Sequence, residues 1–399
     1  MAYVMASMDR SDDSAEVTEP LINPKTRRNP GGVYERAKSI LSLAPYVLWV
    51  FPPLGIIAGL SHWEPWLVLI FNIIAIIPLS ALVSSASDAL SDHLGQLAGG
   101  AVNATVGNAV ELTTSVLGLS HGQIIFAQSV MIGSILSDVL LILGACLVSA
   151  SYNKDVQSFN PAVVHSLSSL MMITVVTIIL PTALYSIFPK ANLDDKILSF
   201  SRSTAVILLA LYFGYLYFQL STHRHLFESE DEDDEPDNTE SSPTPSPSYI
   251  ASTVKMAFAT LGTVFCSYLA FESIEGTVAT TEITRTFIGA VLIPVASNSP
   301  EGTAVIMAVQ GGQANFAVGV IVDSILQIGL FMIPVLVILG WFLNQPMSLD
   351  FEDWHTAILF LSVLVVDQLL QDGKYTYAQG IMLIALYAVF VTTIYEFGM

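Results

Sequence analysis

The chain has 399 residues, 53% of them hydrophobic and only 12% charged, with a net charge of −20. So acidic a total excludes a nucleic-acid-binding surface. Apolar runs of spanning length recur from about Leu41 to Phe397, which predicts an all-α polytopic membrane protein. Cys146 and Cys266 both lie in apolar segments, so they read as inert core residues and not as a disulfide framework.

Residues 1–39 are polar, rich in Ser, Asp, Pro and Arg, and contain no secretory h-region. They are expected to form a disordered cytoplasmic arm. A leading transmembrane helix follows within 40–62 and serves as its own insertion signal. Spans are then expected near 64–86, 97–120, 122–150, 160–188 and 198–222, forming a first repeat over 63–222. Residues 223–249 make an acidic cytoplasmic linker. Its run from Glu228 to Glu235 is broken only by Ser229 and precedes a Pro/Ser-rich stretch. That composition reads as a solvated linker, with a cation-concentrating segment as the functional alternative. A second repeat over 250–399 carries spans near 250–272, 284–310, 315–343, 354–371 and 376–397.

The expected total is eleven helices, one leading and two sets of five. Five is odd, so the second set enters from the opposite side and the repeats are inverted. Lys25, Arg27, Arg28, Arg36 and Lys38 precede the first helix and keep the N-terminus cytoplasmic, which puts the C-terminus on the lumenal or external side.

Two polar patches interrupt the apolar pattern. They read Gly107-Asn108-Ala109-Val110-Glu111 and Ser297-Asn298-Ser299-Pro300-Glu301. Each has an Asn three residues before a Glu, and both types are 190 residues apart (298 − 108 and 301 − 111). Ser134-Ile135-Leu136 returns as Ser324-Ile325-Leu326 at the same offset. Residues three apart share a helix face, so Asn108 and Glu111 project together. Small residues from Ala98 to Ala109 let neighbouring helices approach, which predicts a central segment. Pro300 lacks an amide hydrogen and disfavours helix at Ser299, so a helix break is expected there, freeing carbonyls as ligands.

An ionised Glu in this setting is costly unless it pairs or binds a cation. Calcium is a hard cation that takes oxygen ligands. Glu111 and Glu301 neutralise its double charge, and the Asn108 and Asn298 amide oxygens help complete its shell. The same carboxylates can hold two protons instead, so the site is neutral in both loaded forms. The bland alternative is a pair of protonated, hydrogen-bonded Glu residues used for packing.

The motif Gly107-Asn108-Ala109-Val110-Glu111-Leu112, preceded by Asn103-Ala104-Thr105, resembles the first repeat signature of the cation/proton exchanger family of calcium/proton antiporters, within the cation/calcium exchanger superfamily. The resemblance is greatest to its fungal vacuolar members and runs from about Pro45 to the C-terminus. It includes Ile77-Pro78-Leu79-Ser80-Ala81, Phe287-Ile288-Gly289, Ile293-Pro294 and Leu326-Gln327-Ile328. It implies eleven helices in two inverted repeats, with Glu111 and Glu301 as alternating calcium and proton carriers. It implies no cofactor, a multi-pass vacuolar membrane protein, Ca²⁺ and protons as substrates, and Mn²⁺ as a second cation. Oligomeric state is open, a homo-oligomer included. The implied ion pathway adds Asn103, Gln128, Ser134, Ser324 and Gln327, and an acidic mouth at Asp88 and Asp92.

The second signature of that family reads Gly-Asn-Ala-Ala-Glu-His, whereas this chain has Ser297 to Gly302 there, with Gly302 in place of His. Asp138, Asp323 and Asp367 are additional acids inside expected helices. Asp323 reads either as a residue at a cytoplasmic helix end in water or as an acid near the core site that offsets the lost His, whereas Asp138 and Asp367 read as polar packing or vestibule residues. Glu275 is expected on the exit side. The run Tyr212 to Phe218 reads as lipid-facing surface. Pro300-Glu301 and Asp323 support a sodium-coupled calcium exchanger as an alternative. An intramembrane aspartyl protease using Asp138 and Asp323 is a remote one, since neither has a Gly-x-Gly-Asp context.

Overall fold

The computed structural model describes residues 46–94, 102–103, 105–151, 157–158, 161–187, 194–219, 249–371 and 374–398, all within one unit, Pro45–Met399. The expected arm at 1–39, nearly all of the expected linker at 223–249, and the side chains of Asp88 and Asp92 lie outside the described residues.

Helix α1 (Phe51–Leu60) leads into the long α2 (Pro65–Leu94). The amide of Asn72 ties the two, donating to the Gly55 carbonyl at 3.1 Å and the Val68 carbonyl at 2.8 Å. After α3 (Ala109–Ser120), α4 runs over Ile124–Ser151 and includes a π-helical stretch at Ser137–Ile142. Helices α5 (Pro161–Ile187) and α6 (Asp194–Tyr217) close the first half. The second half begins with α7 (Tyr249–Thr280). Helix α8 follows as Arg285–Phe287, a π-helical stretch Ile288–Leu292, and Ile293–Gln310. Helix α9 is Ala314–Gln327, a π-helical stretch Ile328–Met332, and Ile333–Phe342. Helices α10 (Asp353–Gln371) and α11 (Tyr377–Phe397) complete the chain. A two-residue ladder, β1 (Gln157–Ser158) with β2 (Lys374–Tyr375), pairs antiparallel.

Among the described residues, eight helices are long and apolar enough to cross a membrane: α2, α4, α5, α6, α7, α9, α10 and α11. The other three are short or polar. Helices α1 and α3 have too few residues, and α8 carries the patch Ser297 to Glu301 through its middle. Burial sorts the eight. The apolar window of α4 is 89% buried and that of α9 is 67%, whereas α11 is 28% buried. A helix apolar all round belongs in the core, so α4 and α9 form the centre and α11 faces lipid.

The internal duplication shows in the backbone. The π-helical stretch of α4 returns in α9, both ending at the same offset (332 − 142 = 190). The connections that follow them lie at opposite ends. The one after α4 carries β1 and pairs beside the start of α11. The one after α9 is buried at Met347, Leu349 and Phe351. There Thr182 donates to the Leu349 carbonyl at 3.1 Å, Ser201 accepts from the Leu349 amide at 3.0 Å, and Gln128 donates to the Ser348 and Asp350 carbonyls at 3.0 and 2.9 Å. Equivalent connections at opposite ends are what inversion of the second half produces.

Three glycines allow two close crossings of α4. A methyl group on Gly133 would fall 2.1 Å from the Ala290 carbonyl oxygen, so α4 and α8 meet backbone to backbone. Gly144 and Gly380 do the same between α4 and α11, where a methyl on either would come within 3 Å of the other's carbonyl oxygen.

Candidate functional site

Helix α3 starts from a turn at Gly107 and Asn108, where Asn108 has φ −97° and ψ 29°. The Gly107 amide reaches the Asn103 carbonyl at 2.7 Å, and a methyl on Gly107 would lie 2.5 Å from that oxygen. Only glycine fits so close an approach. The turn places Glu111 in the first turn of α3, where unpaired amides favour negative charge.

The second patch behaves differently from expectation. The helix over Ile293–Gln310 continues through Pro300, so no break occurs at Ser299. Pro300 removes the donor that would pair with the Ala296 carbonyl, and the serine hydroxyls beside it bond the carbonyls of the turn before. Ser297 donates to the Ile293 and Pro294 carbonyls at 3.1 and 3.2 Å, and Ser299 to that of Val295. The interruption lies in the first patch, at Gly107 and Asn108, where glycine permits a turn.

The two patches meet. Glu111 is 1% exposed, and its Oε1 accepts from Ser297 of the other half. Ser134 donates to the same oxygen at 3.4 Å and to Asn298 Oδ1 at 3.3 Å. Asn298 Nδ2 donates to Asp138 Oδ1 at 2.8 Å, and Ser324 Oγ to Asp138 Oδ2 at 2.8 Å. On the opposite side Asn108 Nδ2 donates to Gln327 Oε1 at 3.2 Å. Glu301 takes a hydrogen bond from Ser324 and feels the charges of Glu111 and Asp323.

A cavity of about 250 Å³ opens beside this network. Asn103, Asn108, Ser297, Asn298, Glu301, Asp323, Ser324 and Gln327 line it. A water occupies about 30 Å³ of liquid, so a cation and several waters fit. Ser80 and Ser84 of α2 and Phe316 and Val320 of α9 complete the wall, so the cavity leans toward the end that holds Leu94 and the start of α9. Among the described residues no three of His, Cys, Asp and Glu gather as a metal centre. The oxygens come instead from a mixture of carboxylate, amide and hydroxyl groups, which suits a hard cation held transiently.

Most expected site residues therefore converge. Asn103, Asn108, Glu111, Ser134, Asn298, Glu301, Asp323, Ser324 and Gln327 all line the cavity or join its hydrogen bonds. Gln128 does not; it anchors the buried connection before α10. Asp367 is bonded by Gln371 at 2.7 Å within α10. Glu275 joins Arg285 in an ion pair and accepts from Gln123 at 2.8 Å, linking α7 to the α3–α4 turn and the start of α8.

Two groups take a more definite place than their sequence suggests. Of the two readings of Asp138, the structure shows buried polar packing and not a vestibule, and makes it a member of the network; its spacing of four from Ser134 puts both on one helix face. The aromatic run is one-sided. Tyr212 and Tyr215 are buried whereas Phe213 and Tyr217 are exposed. Tyr215 donates to Asp323 Oδ1 at 2.7 Å, and Gln219 and Gln327 also bond that carboxylate. Gly302 is buried against Ile142, whose Cδ1 would lie 3.3 Å from a methyl group at that position.

A duplicated helical bundle in which each half sends an amide and a carboxylate to one buried cavity has the architecture of a secondary transporter. The chain belongs to the sodium/calcium exchanger protein family, which it matches over residues 64–221 and 251–396. It is 38% identical to the vacuolar calcium ion transporter of Schizosaccharomyces pombe over 362 residues, covering 90% of this chain and 87% of that one. It is 31% identical to the Ca²⁺/H⁺ antiporter of a Synechocystis species over 353 residues, covering 86% and 94%. Among solved structures, native YfkE shares the fold with a TM-score of 0.75 at 24% identity, covering 88% of this chain and 99% of that one. The chain is thus a transporter, and the protease reading falls away.

Proposed function

We propose that this protein exchanges cytosolic Ca²⁺, with Mn²⁺ as a second cation, for lumenal protons across a vacuolar membrane. The supporting observation is that Glu111 of the first half is bonded by Ser297 of the second, beside a cavity lined by Glu301. Two buried carboxylates cannot both stay ionised and unpaired without a large desolvation penalty. One Ca²⁺ or two protons removes that penalty, so either loaded form can cross and the unloaded dianion cannot. Two protons per calcium is the minimum that neutrality of the glutamate pair requires, and a proton carried by buried Asp138 or cavity-lining Asp323 would raise it. Glu111 and Glu301 hold the ion with Asn108 and Asn298, and water completes a shell of about six to eight oxygens.

In this reading residues 1–39 are a cytoplasmic arm, 40–62 the leading span, 63–222 and 250–399 the inverted repeats, and 223–249 a cytoplasmic linker, for eleven spans in all. The N-terminus is cytoplasmic and the C-terminus lumenal. The cavity then faces the cytosol, and access alternates to the lumen, where protons displace the cation. No cofactor takes part.

The test is Ca²⁺ uptake by the reconstituted protein under an imposed pH gradient, repeated with a sodium gradient. Uptake driven by the pH gradient and collapsed by a protonophore is expected. Glu111→Gln and Glu301→Gln should each abolish it while remaining folded. Uptake that follows sodium would replace this reading with a sodium-coupled exchanger of the same family, which the extra Asp323 on the cavity wall favours.

A further inference from the structure

Asp138 is 1% exposed on the π-helical stretch of α4 and is not among the cavity-lining residues. Both its oxygens are used, Oδ1 by Asn298 Nδ2 and Oδ2 by Ser324 Oγ, each at 2.8 Å. An ionised carboxylate only accepts hydrogen bonds, so the Asn298 group turned toward it is the NH₂. The arrangement survives a proton on Oδ2, because that hydroxyl would donate to Ser324. The amide oxygen of Asn298 must then point the other way. It does so, meeting the Ser297 hydroxyl at 3.3 Å on the side of Glu111, while Ser134 touches both ends of the amide, its hydroxyl lying 3.1 Å from the NH₂ and 3.3 Å from the oxygen.

Orientation decides what Asn298 can do. Its oxygen can bind a cation; its NH₂ would repel one. We infer that Asp138 is a positioning residue of the ion site, holding the Asn298 amide so that oxygen faces the cation. The other half handles its Asn in a parallel way with a different residue. Asn108 gives its amide nitrogen to Gln327. The repeat offset maps Asp138 onto Ile328 (138 + 190), one position beyond Gln327. The two halves share the job but not the residue that performs it.

This inference rests on the calcium-site reading, and its test separates the two. Initial Ca²⁺ uptake rates are measured in vesicles reconstituted with the full chain, wild type against Asp138→Asn and Asp138→Leu. Asn keeps an acceptor oxygen for Asn298, and its own NH₂ can donate to Ser324. Leu keeps the bulk and no acceptor. Loss of an orienting partner behind a metal ligand costs about tenfold to a hundredfold in affinity. Asp138→Leu is therefore expected to raise KM by that factor with kcat within about threefold, and Asp138→Asn to restore a near-wild-type KM. If the Leu variant does not fold, Asp138→Ser replaces it, since a serine hydroxyl is too short to reach Asn298, and the same KM rise is expected.

An unchanged KM in the Leu or Ser variant would overturn the inference. So would an Asn variant as impaired as Leu, because charge and not orientation would then be the role. If Glu111→Gln and Glu301→Gln transport like wild type, the calcium-site reading itself fails, whatever Asp138 does.

Discussion

Ser297 Oγ donates to Glu111 Oε1 across a sequence separation of 186 residues. The acid of the first patch is completed by the hydroxyl that opens the second. Neither patch forms the site alone, and the hydroxyl is also bonded to the carbonyls of its own helix.

Ser297→Ala removes this donor and leaves the helix intact. The expected result is a rise of about tenfold in the KM for Ca²⁺, in line with the loss of a hydrogen bond to a metal-binding carboxylate. Uptake kinetics in reconstituted vesicles check it. An unchanged KM would mean that the hydroxyl serves only its own helix.

Gly302 stands where the resembling family has His. A methyl group there would sit 3.3 Å from the Ile142 side chain, so a side chain as large as His must push Ile142 aside. Gly302→His is expected to cost about 1–3 kcal/mol through overpacking. Adding Ile142→Ala should recover most of that loss. Thermal unfolding of the purified single and double variants measures both, and equal losses in the two would refute the steric account.

A contact outside the membrane-spanning segments carries a pH signature. Glu352 Oε2 pairs with His355 Nδ1 at 3.1 Å, and that hydrogen bond is the main cause that holds the Glu352 carboxyl below its ordinary value of 4.5. A carboxyl depressed on folding contributes stability above its unfolded-state value and loses it as pH falls through the folded one. The Tm difference between wild type and Glu352→Gln should therefore favour wild type near neutral pH and vanish in acid below 4.5. The effect is small, because the Glu352 side chain is 33% exposed. A difference that grew on acidification would reverse the assigned sign.

Much of the site was legible because duplication is a statement about sequence spacing. The common offset of the Asn/Glu patches and of Ser134 and Ser324 identified the residues that meet in space. The parity of five helices per set required inversion, and the two connections at opposite ends agree with it. What spacing could not convey is which neighbour satisfies a broken backbone bond. Pro300 argues for an interrupted helix, yet the helix runs on through it, at the loss of the one bond to the Ala296 carbonyl. Nor could hydropathy separate Tyr215 from Phe213, since both are aromatic in an apolar run. Only the partner, Asp323 on another helix, tells them apart. The choice between packing and vestibule for Asp138 stays open in sequence for a similar reason: its partners, Asn298 and Ser324, come from the other half of the chain.

The contact between Gly133 and Ala290 bears on how such a molecule moves. With carbonyl against Cα, no layer of side chains lies between α4 and α8 to be compressed or re-sorted. Parting them would open a void, and pushing them closer would overlap backbone atoms. Ser134 and Asn298, one and eight positions further along, must then travel together as a fixed cradle. If access alternates as proposed, whatever swings to expose the ion to one compartment or the other would pivot around that cradle and not divide it.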